Sequence, residues 1–326
     1  MRPLRYSIRS HSYETFLRQL GVFLCAVFST AQAATYQPLI EAQQLNAALT
    51  AQPKLQIIDI RSPADYAAGH IPGAVSAPYA QWRGPADNPG KLADDTYFEQ
   101  LLQQLGVTEQ QPIVLYSSGV DETDFGATAR VYWTLKYLGL TDLSILNGGL
   151  QQWQQALVTD TTAVHTSQLT VQSNPKLVIF KDELLDKITQ NDSTYQLLDA
   201  RPPVFYNGQV KAPTASTGGT IATAHNTPFG QWFNTHDTRI RPVAEIKELV
   251  RSQGLDQAQE TVSFCNTGHW AATNWFVLSE LAGLDDVRLY PASLAEWTQT
   301  KERLPMANTP SRLEQLQAKF SKLVSD

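Results

Sequence analysis

Cysteine is almost missing from this chain of 326 residues, which holds two, Cys25 and Cys265. So few thiols exclude a disulfide-framed fold and a cysteine-built metal site. Long apolar runs are missing as well. A membrane-spanning helix needs roughly 20 consecutive apolar residues, and Leu20 to Phe28 supplies about half of that. Basic clusters are also absent: 25 Lys and Arg stand against 31 Asp and Glu, the formal charge is -6, and no basic cluster is interleaved with aromatics. Nucleic acid is therefore excluded as a partner. What is present is apolar material, 42% of residues against 17% charged, enough for one large or two ordinary cores.

The first 33 residues read differently from the rest. Arg2, Arg5, Arg9 and Arg18 precede the apolar run, and Ala31-Gln32-Ala33 follows it. This is the pattern of a secretory signal peptide cleaved after Ala33. The expectation is a periplasmic or secreted protein, with no stable membrane insertion after cleavage. The leader carries four arginines and Glu14, a net +3, so the mature chain would hold -9. Cys25 would leave with the leader. Cys265 then remains as a lone thiol, either buried and inert or reactive, and its surroundings must decide.

The rest of the chain repeats itself at a period of roughly 140 to 150 residues. Leu55 to Asp59 followed by Ile60-Arg61 is echoed by Tyr195 to Asp199 followed by Ala200-Arg201. Gly69 to Trp82 aligns with Gly219 to Trp232, Ile113 to Ser117 with Thr261 to Cys265, and Gly149 to Trp153 with Ser293 to Trp297. Within each copy, short apolar runs such as Ile113 to Tyr116 and Thr261 to Phe264 alternate with amphipathic segments such as Asp95 to Leu105 and Pro242 to Ser252. Such alternation predicts a parallel sheet covered by helices. The expected division is 1–33 leader, 36–158 first domain, 159–174 linker rich in Thr, Ser and Gln, and 175–300 second domain. Residues 301–326, with Leu313, Leu316, Phe320 and Leu323 at helical spacing, are expected to form a helical tail.

Cys265 follows a strand directly and is followed by Asn266-Thr267-Gly268-His269-Trp270, after which a helix is predicted from Ala271. Ligands bind at the carboxyl ends of parallel strands. A helix start offers unpaired N–H groups and a positive dipole end, which favour thiolate over thiol. Main-chain amides curling around the sulfur, with Gly268 at positive φ, are the expected source of that field.

These residues, with the two Asp-x-Arg strand ends and Gly69-His70-Ile71-Pro72-Gly73-Ala74, make residues 36 to 300 resemble the rhodanese family of thiosulfate and 3-mercaptopyruvate sulfurtransferases in its tandem form. The resemblance implies an α/β fold of two tandem rhodanese-like domains, each a parallel sheet flanked by helices. It places the reactive cysteine, Cys265, first in a six-residue loop of the second domain and makes the first domain a catalytically silent copy with Ser117 at that position. By the same resemblance Cys265 takes sulfane sulfur from a donor, holds it as a persulfide and passes it to cyanide or a thiol. Substrate would be bound by Asn266, Thr267, Gly268, His269, Trp270 and Arg201. No metal or organic cofactor is implied. The partners would be a small sulfur-containing anion or thiol, with a protein thiol as a further acceptor. A second reading from another class stays open, a persulfide carrier or anion-binding module that acts with a partner protein.

Phosphatases of the same fold carry Cys-x5-Arg, whereas the sixth residue after Cys265 is Ala271, which argues against phosphate chemistry. The loop holds no Lys or Arg, so His269 is its one candidate cation. Phe205 stands where the family's further substrate arginine would fall, four residues beyond Arg201. The expected anion-binding set is thus Arg201, His269, backbone N–H groups and Arg239 or Arg241. Trp270 with Phe229, Trp232 and Phe233 is the expected wall of a pocket for an organic thiol or a protein surface.

Overall fold

The computed structural model describes residues 37–311. The expected leader, residues 1–33, and the stretch holding Leu313, Leu316, Phe320 and Leu323 lie outside those residues. Among the described residues there are eleven short strands: β1 Leu39–Ile40, β2 Gln56–Asp59, β3 Ala74–Ser76, β4 Ile113–Tyr116, β5 Leu143–Leu146, β6 Tyr195–Asp199, β7 Thr220–Ile221, β8 His225–Asn226, β9 Glu260–Phe264, β10 Val287–Leu289 and β11 Met306–Ala307. The helices are α1 Ala42–Ala51, α2 Pro63–Ala68, α3 Asp95–Gln104, α4 Glu122–Tyr137, α5 Lys181–Thr189, α6 Pro203–Tyr206, α7 Val243–Ser252, α8 Trp270–Phe276 and α9 Ser293–Trp297.

Nine of the strands form one all-parallel sheet per copy, in the order β1-β5-β4-β2-β3 for the first and β10-β9-β6-β8 for the second. Where β1 lies beside β5 in the first sheet, a single parallel bridge from Val178 to Leu289 stands in the second. The central strands β4 and β5 are buried at every position, as expected of parallel strands covered by helices on both faces. The rhodanese-like α/β architecture is thus present in both halves. Residues 159–174 form no helix or strand and run along the first copy, with Leu169 buried and Ser167, Val171, Gln172 and Asn174 hydrogen-bonded to it. The expected helical tail is not seen in residues 301–311. Within that segment Met306–Ala307 is strand, because β11 pairs antiparallel with β7 in a separate two-stranded sheet.

Helix α4 explains how the halves meet. Asp121 caps it, accepting from the N–H groups of Thr123 and Asp124 at 2.7 and 3.1 Å, and from Phe125 to Leu135 every residue is buried. A helix apolar on all sides must be packed on all sides. One side covers the first sheet, and the other meets α8 and its neighbours from the second copy. Phe125 sets its ring edge-on to Phe233 and Phe276, and Tyr132 packs against Phe276 at 5.0 Å. Each aromatic ring buried there is worth about 1.5–3 kcal/mol. Lys136 and the Tyr132 hydroxyl both reach Glu280, at 2.6 and 2.8 Å. A single apolar core runs through this contact and includes Cys265.

Candidate active site

Strand β9 delivers Cys265. Its register sets Phe264 opposite Asp199, and the chain then leaves the sheet. The carbonyls of Cys265 and Asn266 accept from the amides of Leu294 and Ala295 at 3.2 and 2.9 Å. In the first copy the carbonyls of Ser117 and Ser118 accept from Leu150 and Gln151 at 2.9 and 3.1 Å. Ser117 and Cys265 therefore occupy the same backbone station, one with a hydroxyl and one with a thiol. Cys265 is 1% exposed.

The loop is held by a residue that the sequence pattern did not single out, Ser293. Its hydroxyl donates to the Tyr290 carbonyl at 2.7 Å and accepts from the amides of Cys265 and Gly268, both at 3.1 Å. Two of the amides expected to turn toward the sulfur are thus turned toward the Ser293 hydroxyl. Ser293 holds φ 53°, a left-handed conformation unusual for a residue with a Cβ. Its counterpart in the first copy is Gly149, at φ 63°. Gly268 takes φ 67°, and a Cβ there would come within 2.3 Å of Arg130 Nη1 and 2.4 Å of the Pro291 carbonyl. Glycine is required at that point both for conformation and for space.

Arg201 is buried with Asp199, its Nε and Nη2 donating to the carboxylate at 2.9 and 2.6 Å, and its Nη2 also reaches the Gly219 carbonyl at 2.7 Å. Arg61 repeats this arrangement with Asp59 and the Gly69 carbonyl in the first copy. The pair pins a strand end in both halves, and only Arg201 Nη1, 3.4 Å from Asn266 Oδ1, faces the loop.

The first copy lays a polar cluster on the loop. Arg83 Nη2 donates to the Thr267 carbonyl at 2.9 Å, and its Nη1 donates to the Tyr79 hydroxyl at 3.0 Å. The Tyr79 hydroxyl lies 2.9 Å from His269 Nδ1, and His269 Nε2 lies 2.8 Å from the Thr123 carbonyl. A carbonyl can only accept, so Nε2 carries the proton and Nδ1 accepts from tyrosine. Burial, reinforced by Arg83, pushes the His269 pKa down to about 4. His269, expected as the loop's cation, is a neutral ring with both nitrogens engaged. Gly126 makes room for it, since a Cβ there would sit 3.0 Å from the imidazole.

The cation is Arg130, from the middle of α4. It is fully buried; Nη2 donates to the Gly90 carbonyl at 2.9 Å, Nη1 lies 3.4 Å from the Gly268 carbonyl, and Nε has no partner. Burial, with Arg83 adding like charge, lowers its pKa to about 9, while Tyr79 and Cys265 act in the opposite direction. It therefore remains charged at neutral pH. Among the described residues neither Arg83 nor Arg130 is paired with a carboxylate. The available sequence signal was a basic side chain in the middle of a helix, between Ala129 and the run Val131 to Trp133.

The remaining expected residues divide. Trp270 stacks on Phe229 at 5.0 Å and meets Phe205 edge-on at 5.9 Å, so an aromatic wall does stand beside the loop. Trp232 and Phe233 belong to the core instead, at 0% and 1% exposure. Arg239 pairs with Asp237 at 2.6 Å, and Arg241 bonds the Gln231 carbonyl at 2.9 Å. Both are spent on fixing the chain around 231–241 and neither is aimed at Cys265. The arrangement offers one nucleophilic sulfur at a strand end, two guanidinium groups without acids, and no group of three or more metal-ligating side chains among the described residues.

A family profile described as the rhodanese-like domain matches residues 41–156 and again 180–300. A protein of Mycolicibacterium smegmatis named "Putative thiosulfate sulfurtransferase" is 30% identical over 244 residues, covering 71% of this chain and 84% of its own. A protein of the same name from Synechococcus elongatus is 26% identical over 298 residues, covering 87% and 89%. Among solved structures, SseA of Escherichia coli, a 3-mercaptopyruvate sulfotransferase, superposes with a TM-score of 0.68 at 24% identity over 79% of this chain and 98% of its own. The anaerobic ergothioneine biosynthesis enzyme of Chlorobium limicola superposes with a TM-score of 0.73 at 22% identity, over 85% and 72%. At these identities the two structures speak for the fold.

Proposed function

Because this chain belongs to the rhodanese family, with the domain present twice, we propose that it is a sulfurtransferase whose working nucleophile is Cys265. The observation that carries this reading is the asymmetry between two equivalent stations. The second copy ends its central strand in a thiol whose loop is touched by two guanidinium groups without acids, at Thr267 and Gly268, while the first ends it in Ser117, hydrogen-bonded to Thr128 at 2.9 Å. A serine hydroxyl cannot hold sulfane sulfur as a persulfide, so the first copy is catalytically silent.

The chemistry balances without a cofactor. The Cys265 thiolate attacks the outer sulfur of thiosulfate, a sulfur–sulfur bond forms, and the bond within thiosulfate breaks with its electron pair leaving on sulfite. The charge of three before the step, one on the thiolate and two on thiosulfate, is found afterwards on the persulfide and sulfite. Cyanide or a thiolate then attacks the terminal sulfur and regenerates the Cys265 thiolate. With a mercapto acid as donor, the carbon–sulfur bond breaks and the enolate left behind takes the donor's thiol proton. Gly268, His269 and Thr267 shape the cup, Arg201 steadies Asn266, and Trp270 walls one side. A protein thiol is a further acceptor in this scheme.

Export belongs to the same proposal. The arginines, apolar run and Ala31-Gln32-Ala33 of the leader support delivery outside the cytoplasm with cleavage after Ala33. N-terminal sequencing of protein made in a secreting host tests it, a start at Ala34 being expected and a start at Met1 contradicting it. For the activity, thiocyanate formed from thiosulfate and cyanide is measured for the native protein and for Cys265→Ser. Turnover in the first and none in the second is expected. Equal turnover in both would place the nucleophile elsewhere.

A further inference from the structure

We propose that the cysteine-free first copy supplies the anion-recognising half of the site, with Arg130 as the counter-charge to the sulfur anion on Cys265 and to a compact anionic donor of the thiosulfate class. This deepens the sulfurtransferase reading and rests on it for the identity of the donor.

A guanidinium without a carboxylate is common on a surface and costly inside a protein, because water that would solvate it has been removed. Arg130 is fully buried and has carbonyl partners for its two terminal nitrogens but none for Nε. Two carbonyl dipoles do not neutralise a full charge. The loop it touches is that of Cys265, at Gly268, where its Nη1 comes so close that only a glycine fits. Arg83 stands on the same loop at Thr267, and Tyr79 links Arg83 to His269. The Asp121 carboxylate acts on His269, but it is engaged in capping α4. The face therefore holds two cations, a neutral imidazole and a buried sulfur, and an anion on that sulfur completes the charge balance. The absence of Lys and Arg from the loop itself is offset across the contact between the copies. A neutral thiol donor would leave the two cations unanswered, whereas a small dianion answers both.

Arg130 is a positioning residue in this account, acting on the sulfur through charge. The test is the ratio of second-order alkylation rates of Cys265 by iodoacetate and iodoacetamide in the mature protein. The reagents are nearly the same size and differ by one negative charge, so steric hindrance slows both alike while loss of hydration works against iodoacetate. With a net charge near -9, the protein as a whole repels iodoacetate, so a raised ratio must come from local cations. The expected ratio exceeds that of glutathione by about tenfold. Arg130→Met should lower it by about tenfold, Arg130→Lys should keep most of it, and KM for thiosulfate should rise more in Arg130→Met than kcat falls. A native ratio at or below that of glutathione overturns the proposal, as does an unchanged ratio in Arg130→Met. If Arg130→Met does not fold, Arg83→Met at the partly exposed neighbour takes its place, with a lowered ratio expected and an unchanged one counting against the proposal. Alkylation needs no sulfur donor, so its outcome is separate from that of the sulfurtransferase assay.

Discussion

Replacing Ser293 by alanine should loosen the Cys265 loop measurably. The change removes one hydroxyl and leaves three buried groups without a partner: the amides of Cys265 and Gly268, each 3.1 Å from Ser293 Oγ, and the Tyr290 carbonyl at 2.7 Å. Each orphaned buried group costs about 1–3 kcal/mol, and a water molecule in the vacated space would recover part of it, so a loss of about 3–5 kcal/mol is expected. Glycine at 293 loses the same bonds but relieves the φ of 53°, a conformation that costs a residue with a Cβ about 1–2 kcal/mol. Glycine also frees the unfolded chain, which offsets about 0.4–1 kcal/mol of that gain. Ser293→Gly should therefore be more stable than Ser293→Ala by about 0.5–1 kcal/mol, as the glycine at 149 in the first copy suggests. Urea unfolding of the three proteins measures both differences. A loss under about 1 kcal/mol in Ser293→Ala, or a glycine variant less stable than the alanine one, would mean that Ser293 does not hold the loop.

Two further outcomes follow from the buried groups. His269, held near pKa 4 by burial and Arg83, binds its proton less readily folded than unfolded, where the value is about 6.5. Its contribution to stability is therefore complete above about pH 6.5 and lost as pH falls toward 4, a change of about 3 kcal/mol; urea unfolding across that range should show the slope, and His269→Gln should flatten it. An equal slope in the variant would assign the proton uptake elsewhere. Asp199→Asn leaves the Arg201 guanidinium buried without its carboxylate, so a loss of about 3–5 kcal/mol is expected by thermal or urea unfolding. A variant within 1 kcal/mol of the native protein would mean that Arg201 finds water or another acid.

Much of this was legible in the sequence because it depends on local order. The repeat places Ser117 and Cys265 at matching positions, and the backbone bonds from Leu150 and Leu294 put them at matching stations. The strands Ile113–Tyr116 and Glu260–Phe264 fall on the apolar runs read from the sequence. What sequence did not yield is what crosses between copies. Arg83, Tyr79 and Arg130 are distant from Cys265 along the chain and meet it only once α4 is packed against α8. His269 was read as a cation from its residue type, whereas burial, reinforced by Arg83, keeps it neutral, with Tyr79 and Thr123 at its two ring nitrogens. Ser293 gave no signal because its role depends on a left-handed backbone angle that glycine, not serine, advertises. The strand at Met306–Ala307 was hidden for a similar reason, since β11 exists only through its partner β7.

The central claim is that Cys265 is the atom that carries sulfur. Intact-mass spectrometry of the protein after incubation with thiosulfate, followed by removal of excess donor, tests it most directly. The native protein should gain about 32 Da, one sulfur atom, that cyanide removes and that Cys265→Ser never acquires. A persistent native mass, or the same gain in Cys265→Ser, would contradict it.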